Sequence, residues 1–276
     1  MGILFFFSCY NPYVNPNASE KNIDFLIDKG RLSWEQRTSS GSLENANHFI
    51  TLATKERPND FNLSILHSKI KFNLAKYIEN KPEIKKQLFL EGAEISKNAI
   101  FNHPSFDSIL IESKEYSSSE LIFAINKAPK ILVPGLFWWA ENLAHHLNGK
   151  SVLERLNHRE LLEVLMHRVI SLDPGFNYSG PYRFFGSLYT RIPGVELTQS
   201  ETYFKQAINS NSDYLGNLVS MAEYFHQKKG NREQFNKILL EVSKTDIDQF
   251  PEIMNQNYFS KKYALELLEK ESLLFE

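Results

Sequence analysis

One spacing recurs four times along this chain and restricts its fold more than any other feature. Ala46, Ile50 and Ala53 are followed by Pro58; Gly92, Ser96 and Ala99 by Pro104; Leu162, Met166 and Val169 by Pro174. A fourth copy, Ser200, Phe204 and Ala207, carries Ser212 in place of the proline. Residues three, four and seven apart share one face of a helix. Small side chains there let a neighbouring helix approach, and the large one between them fills the gap. Proline then ends the helix, because it lacks the amide hydrogen and disfavours helical backbone in the residue before it. Each copy therefore reads as the second helix of a helix-turn-helix unit.

First helices should stand ahead of them. Tyr182-x2-Phe185-Gly186-x2-Tyr189 has the form of the tetratricopeptide pattern Trp-x2-Leu-Gly-x2-Tyr with aromatic substitutions. Its glycine marks the place where the partner helix crosses. Asn217-x3-Met221-x2-Tyr224 is a fainter copy, and Trp34 and Arg37 occupy comparable positions ahead of Ala46. A single unit cannot bury its apolar face, so stability must come from stacking. The expected fold is all-α, a tetratricopeptide-like array over residues 19–276 that ends in a capping helix from Phe259 to Leu274. Further helices are predicted over Val133–Leu147, stopped by Asn148-Gly149, and over His158–Leu172. Ser117-x2-Glu120 reads as a capping box opening a shorter one. Sustained period-two alternation is missing, so sheet is minor at most.

Composition narrows the function. With 276 residues, 42% hydrophobic and 23% charged, the chain can bury a substantial core. A formal charge of -2 offers no basic field for a phosphate backbone, which argues against nucleic acid as a partner. The single cysteine, Cys9, excludes an intrachain disulfide and a cysteine-based zinc site. It ends the run Ile3-Leu4-Phe5-Phe6-Phe7-Ser8-Cys9, after which the chain turns polar through Asn11, Pro12, Asn15, Pro16 and Asn17. That is how a bacterial lipoprotein signal ends. Residues 1–18 are accordingly read as the remnant of such a signal and a tether. Cys9 would be the lipidation site, anchoring the protein to a membrane without a spanning helix. The apolar run is short and lacks a basic lead, so the true start is expected upstream.

No catalytic motif is present: no Walker loop, dinucleotide glycine fingerprint, Gly-x-Ser-x-Gly elbow or His-Glu-x2-His helix. A non-enzymatic chain without cofactor or metal is expected. Adjacent His145 and His146 point in different directions on a helix, and Asp246 with Asp248 reads as turn capping. Two aromatic clusters are the binding candidates. Trp138 and Trp139 cannot both face one contact. Either both pack between helices, or one faces a groove edged by Asn142. In the second cluster, Ser179-Gly180-Pro181 opens a helix bearing Tyr182, Arg183 and Tyr189. Arg183 near a helix start requires a partner: a carboxylate in a salt bridge, or an anionic ligand or acidic residue from outside.

These segments together resemble the T-component (TatT) family of tetratricopeptide-associated TRAP transporters. The likeness is carried by Pro134-Gly135-Leu136-Phe137-Trp138-Trp139, then Ser171-Leu172-Asp173-Pro174, then Gly180-Pro181-Tyr182-Arg183-Phe184-Phe185-Gly186-Ser187-Leu188-Tyr189 with Ile192-Pro193-Gly194 behind it. Tyr203-Phe204-Lys205-Gln206-Ala207-Ile208 and Ala222-Glu223-Tyr224 complete it, from about residue 20 to 270. The resemblance implies an exported, lipid-anchored helical array at the periplasmic or outer face of a bacterial membrane, enclosing a pore or cleft. It implies the periplasmic solute-binding P-component as partner and self-association into a ring-like oligomer. A small hydrophobic or carboxylate-bearing ligand is the natural guess for what it handles. The competing readings are a scaffold gripping an extended peptide in an open groove and an enzyme on a helical frame.

Overall fold

The computed structural model describes residues 16–109 and 118–276, with side chains from residue 20 and residue 119 onward in the two segments. Cys9 and Ser117 lie outside these residues. Among the described residues every regular element is helical and no strand occurs. The array opens with α1 (Pro16–Glu35), α2 (Ser42–Glu56), α3 (Phe61–Tyr77) and α4 (Pro82–Phe101). It continues through α5 (Pro104–Asp107), α6 (Ser118–Lys127), α7 (Val133–Leu147), α8 (Val152–Asn157) and α9 (Arg159–Leu172). The remainder is α10 (Phe176–Tyr189), α11 (Leu197–Ser210), α12 (Leu215–Ser220), α13 (Arg232–Lys244), α14 (Met254–Glu269) and α15 (Glu271–Leu274). α12 runs on into a π-helical turn, Met221–His226. The chain is an all-α helical repeat array, as its spacing predicts.

The recurring triplets sit where helices cross. Ala46, Ile50 and Ala53 on α2 are fully enclosed, as are Ser200, Phe204 and Ala207 on α11. At Gly186 an added Cβ would lie 2.8 Å from the Phe204 ring, and at Gly30 it would lie 2.5 Å from Ile50 Cδ1. Thus in these two pairs the glycine of the first helix receives the large middle residue of the second. The Ser200 hydroxyl reinforces one seam, donating to the Gly186 carbonyl at 2.6 Å. Among the proline copies, α2 ends two residues before Pro58 and α9 two residues before Pro174.

Where α3, α4 and α7 meet, the contact is polar and buried. The Ser68 hydroxyl donates to the Gly92 carbonyl at 2.8 Å, Ser96 donates to Ser68 at 2.7 Å, and Asn142 Nδ2 reaches Ser68 at 3.0 Å. Asn142 also donates to the Trp138 carbonyl at 2.9 Å. Hydrogen bonds of this kind offset the cost of removing these groups from water.

Two elements depart from expectation. The C-terminal helix begins at Met254, after a short 3-10 turn at Pro251–Ile253, and breaks at Lys270 instead of running from Phe259 to Leu274 unbroken. The helix expected from His158 is preceded by a separate one, α8, opened by a reciprocal capping box between Ser151 and Glu154. α14 also does more than cap. Phe259 stacks on Tyr77 at 4.9 Å, Asn255 donates to the Glu35 carbonyl at 3.0 Å, and Lys262 donates to the Tyr77 carbonyl at 3.3 Å. The end of the chain thereby returns to its first helices, and Phe259 joins their core.

Candidate functional site

Closing the array leaves a chamber inside it, about 1400 Å³ of empty space with its open mouth included. α1, α3, α7, α8, α10, α12 and α14 all contribute to its wall. Aromatic rings form much of that wall, among them Trp34, Phe72, Trp138, Tyr214, Phe259 and Tyr263. Six cationic side chains face it among the described residues: Arg37, Lys69, Lys76, Arg155, Arg183 and Arg191. Among the same described residues Glu141 is the one carboxylate that does. A chain whose formal charge is -2 therefore holds a strongly positive interior.

The cations are carried on rings more than on counter-ions. The Arg37 guanidinium lies 4.4 Å from the Trp34 ring centre, and the Lys69 ammonium lies 5.1 Å from Trp34 and 6.0 Å from Trp138. Lys76 sits 5.5 Å from both Tyr77 and Tyr263, Arg183 5.0 Å from Tyr214, and Arg191 4.4 Å from Tyr224. An aromatic face attracts a cation without neutralising it, so the charge remains available to an anion. Among the described residues only Arg37 of these six has a carboxylate within reach, Glu35 at 3.9 Å, and that group is largely in water. The Arg155 Nε is buried without a hydrogen-bond partner. Burial, then the neighbouring Arg37, pushes the Lys69 pKa down to about 8, and burial also lowers that of Arg37.

Arg183 is held by an unusual piece of backbone. Asn177, Tyr178 and Ser179 all adopt left-handed conformations, with φ of 50°, 59° and 58°. For residues with a Cβ this costs roughly 1–2 kcal/mol each. The turn exposes the carbonyls of Asn177 and Tyr178, to which Arg183 donates at 3.4 and 3.3 Å, while its NH1 also donates to Asn217 Oδ1 at 2.8 Å. Asn217 in turn donates to the carbonyls of Ala207, Tyr178 and Asn211. Tyr178 stacks on Tyr214 at 4.8 Å and accepts from Gln256 at 3.1 Å. The helix opens at Ser179-Gly180-Pro181 as expected, but the salt-bridge partner considered for Arg183 is a cage of carbonyls and an amide instead.

The candidate residues separate into two groups. Trp138 and Arg183 face the chamber. Trp139 is also buried, yet it turns into the core beside Phe101 at 6.2 Å. Asn142 does not edge the chamber: it is locked in the Ser68 network, and its Oδ1 lies against Gly92 without a partner. Tyr182 and Tyr189 pack in the α10–α11 seam against Tyr203, at 6.4 and 5.7 Å. His145 lies on the chamber wall against Phe89, whereas His146 bonds to the Lys86 carbonyl at 2.9 Å.

Sequence reasoning passed over Lys69, Lys76, Glu141, Arg155 and Arg191. A signal existed: Lys69, Asn73 and Lys76 stand at helical spacing on one face of α3, as do Trp138, Glu141 and His145 on α7.

A family model described as TRAP transporter T-component (TAtT) matches residues 72–275, which leaves α1, α2 and the Trp34–Arg37–Lys69 corner outside the match. No curated protein matches the chain.

Proposed function

This chain belongs to the TRAP transporter T-component family, and we propose that its chamber holds a small amphipathic organic anion for the transport system it serves. Accessory service in such a system follows from the family. The finer reading rests on one observation: among the described residues six cations, five of them supported on rings, face a single carboxylate in an aromatic chamber. Aromatic walls favour an apolar body by removing its surface from water, and desolvated cations select a carboxylate or similar head group. In this reading the chain stands at the extracytoplasmic face, anchored through Cys9, and docks a solute-binding P-component that exchanges ligand with the chamber.

The ligand class is tested by titrating the purified protein with octanoate, octylammonium and a neutral octyl glycoside. Octanoate should bind and the cation should not; equal binding of all three would reduce the chamber to a greasy cavity. Docking is tested by affinity capture from membrane extracts, which should recover an extracytoplasmic solute-binding protein. Recovery of cytoplasmic partners alone would sink that part. A peptide scaffold needs an open groove, and helices from the beginning, middle and end of the chain around Trp138 weigh against it.

A further inference from the structure

Glu141 is the one acid facing the chamber among the described residues, and it is 8% exposed. From its own helix His145 stands 3.8 Å away. α3 faces it with Lys76 and Tyr77, α10 with Arg183, and α12 with its π turn adds Tyr214 and Tyr224. Burial, with Lys76, Arg191 and Arg183 nearby, keeps the His145 imidazole neutral, so it supplies no positive charge. The tyrosines stay neutral as well, since burial raises each of them. Lys76 and Arg183 are therefore the cations that act on the Glu141 carboxylate, which occupies the same field that a ligand head group must enter.

Two like charges held close together in a desolvated site cannot both ionise freely. We infer that Glu141 is the specificity-determining residue of the chamber: a monoanionic head group enters beside its carboxylate, whereas a dianionic one enters only as Glu141 takes up a proton. The step moves one proton from solvent onto the Glu141 carboxylate and breaks no other bond. Burial already raises the pKa of this carboxyl, with Arg183 and Lys76 pulling the other way, so part of the cost of protonation is met by the fold. The inference rests on the anion-binding reading given above.

The test compares two ligands with the same tail, octanoate and octylmalonate, by calorimetry at about pH 7.5, where both are fully ionised. Repeating each titration in two buffers of different ionisation enthalpy counts the protons taken up. Octylmalonate should take up about one proton more than octanoate. Glu141→Gln keeps the shape, abolishes the difference, and tightens octylmalonate about tenfold relative to octanoate. Should the unaltered protein admit octanoate alone, the Gln variant must admit octylmalonate. Equal proton counts for the two ligands, or a Gln variant that changes both affinities alike, would overturn the selectivity role while leaving the anion chamber standing. Absence of heat with either ligand would overturn the chamber reading and this inference with it.

Discussion

On helix α10, neighbouring residues obey opposite rules. Phe185, Gly186 and Tyr189 turn toward α11, where Phe204 fills the space above Gly186 and Ser200 closes a hydrogen bond to its carbonyl. Arg183 and Ser187, with Arg191 just beyond the helix, turn toward the chamber. α3 divides the same way: Ser68 and Ala75 are sealed in the packing, while Lys69, Asn73 and Lys76 face the cavity. In the seam the Ser68 and Ser200 hydroxyls are paired and large side chains fill the space above the glycines. Along the chamber, cations rest on rings with few counter-ions, an arrangement that gives up stability because desolvated charge is costly. A fold optimised for stability alone would place apolar residues there. The chamber wall keeps what the seam excludes, charge, which in the proposed function is what an anionic ligand would meet.

The largest expected effect breaks the comparison on the seam side. Phe204→Ala should cost about 3–5 kcal/mol, because the cavity left above Gly186 cannot collapse onto a residue without a side chain. Lys76→Met keeps the length of the side chain and removes its charge. It should leave stability within about 1 kcal/mol and weaken octanoate binding at least tenfold, roughly 1.4 kcal/mol. Thermal unfolding read together with ligand titration separates the two. If Lys76→Met unfolds the protein as severely as Phe204→Ala, the two faces are not distinct in kind.

The same division explains what could be read from the residues alone. Seams are periodic: Ala46-Ile50-Ala53 and Ser200-Phe204-Ala207 announce themselves by spacing, and Val133–Leu147 was bounded to the residue by Asn148-Gly149. The chamber is assembled from positions as far apart as Trp34 and Tyr263, and no local pattern states that α14 returns to α1 and α3. Tyr182 and Tyr189 drew attention as aromatics beside Arg183, yet about 100° of helix turn per residue puts them on the seam. Asn142 drew attention as the polar neighbour of two tryptophans, though its partner Ser68 lies on another helix. The left-handed run Asn177–Ser179 had no sequence signature beyond the Gly180-Pro181 that follows it.

A pH titration sharpens the chamber side with a smaller effect. The Lys69 pKa in the fold, about 8, lies below the 10.5 of a free lysine. Between those values the unfolded chain binds more protons than the folded one, so this group makes stability rise as pH increases across the window. Below about 8 its destabilising contribution is fully present. Octanoate affinity should move in the opposite direction, falling as pH passes upward through about 8 and the ammonium is lost. Chemical denaturation and ligand titration across that range, repeated with Lys69→Met, check both trends. The variant should flatten each, and an unchanged pH dependence would remove Lys69 from the anion site.

The smallest effect is optical and tests the boundary between the two regions directly. All three tryptophans are buried, but Trp34 and Trp138 present their rings to the chamber beneath Arg37 and Lys69, whereas Trp139 packs beside Phe101. An octanoate carboxylate approaching Lys69 changes the field and polarity around the first two rings and not the third. The fluorescence change on binding should therefore shrink in Trp34→Phe and in Trp138→Phe and persist in Trp139→Phe. The Trp139 variant serves as the internal control, because it loses an equally buried indole one residue away. Loss of the signal in that variant, with binding retained, would mean that the ligand perturbs the seam as much as the chamber, and the division between the two faces would fail at the closest pair of residues that defines it.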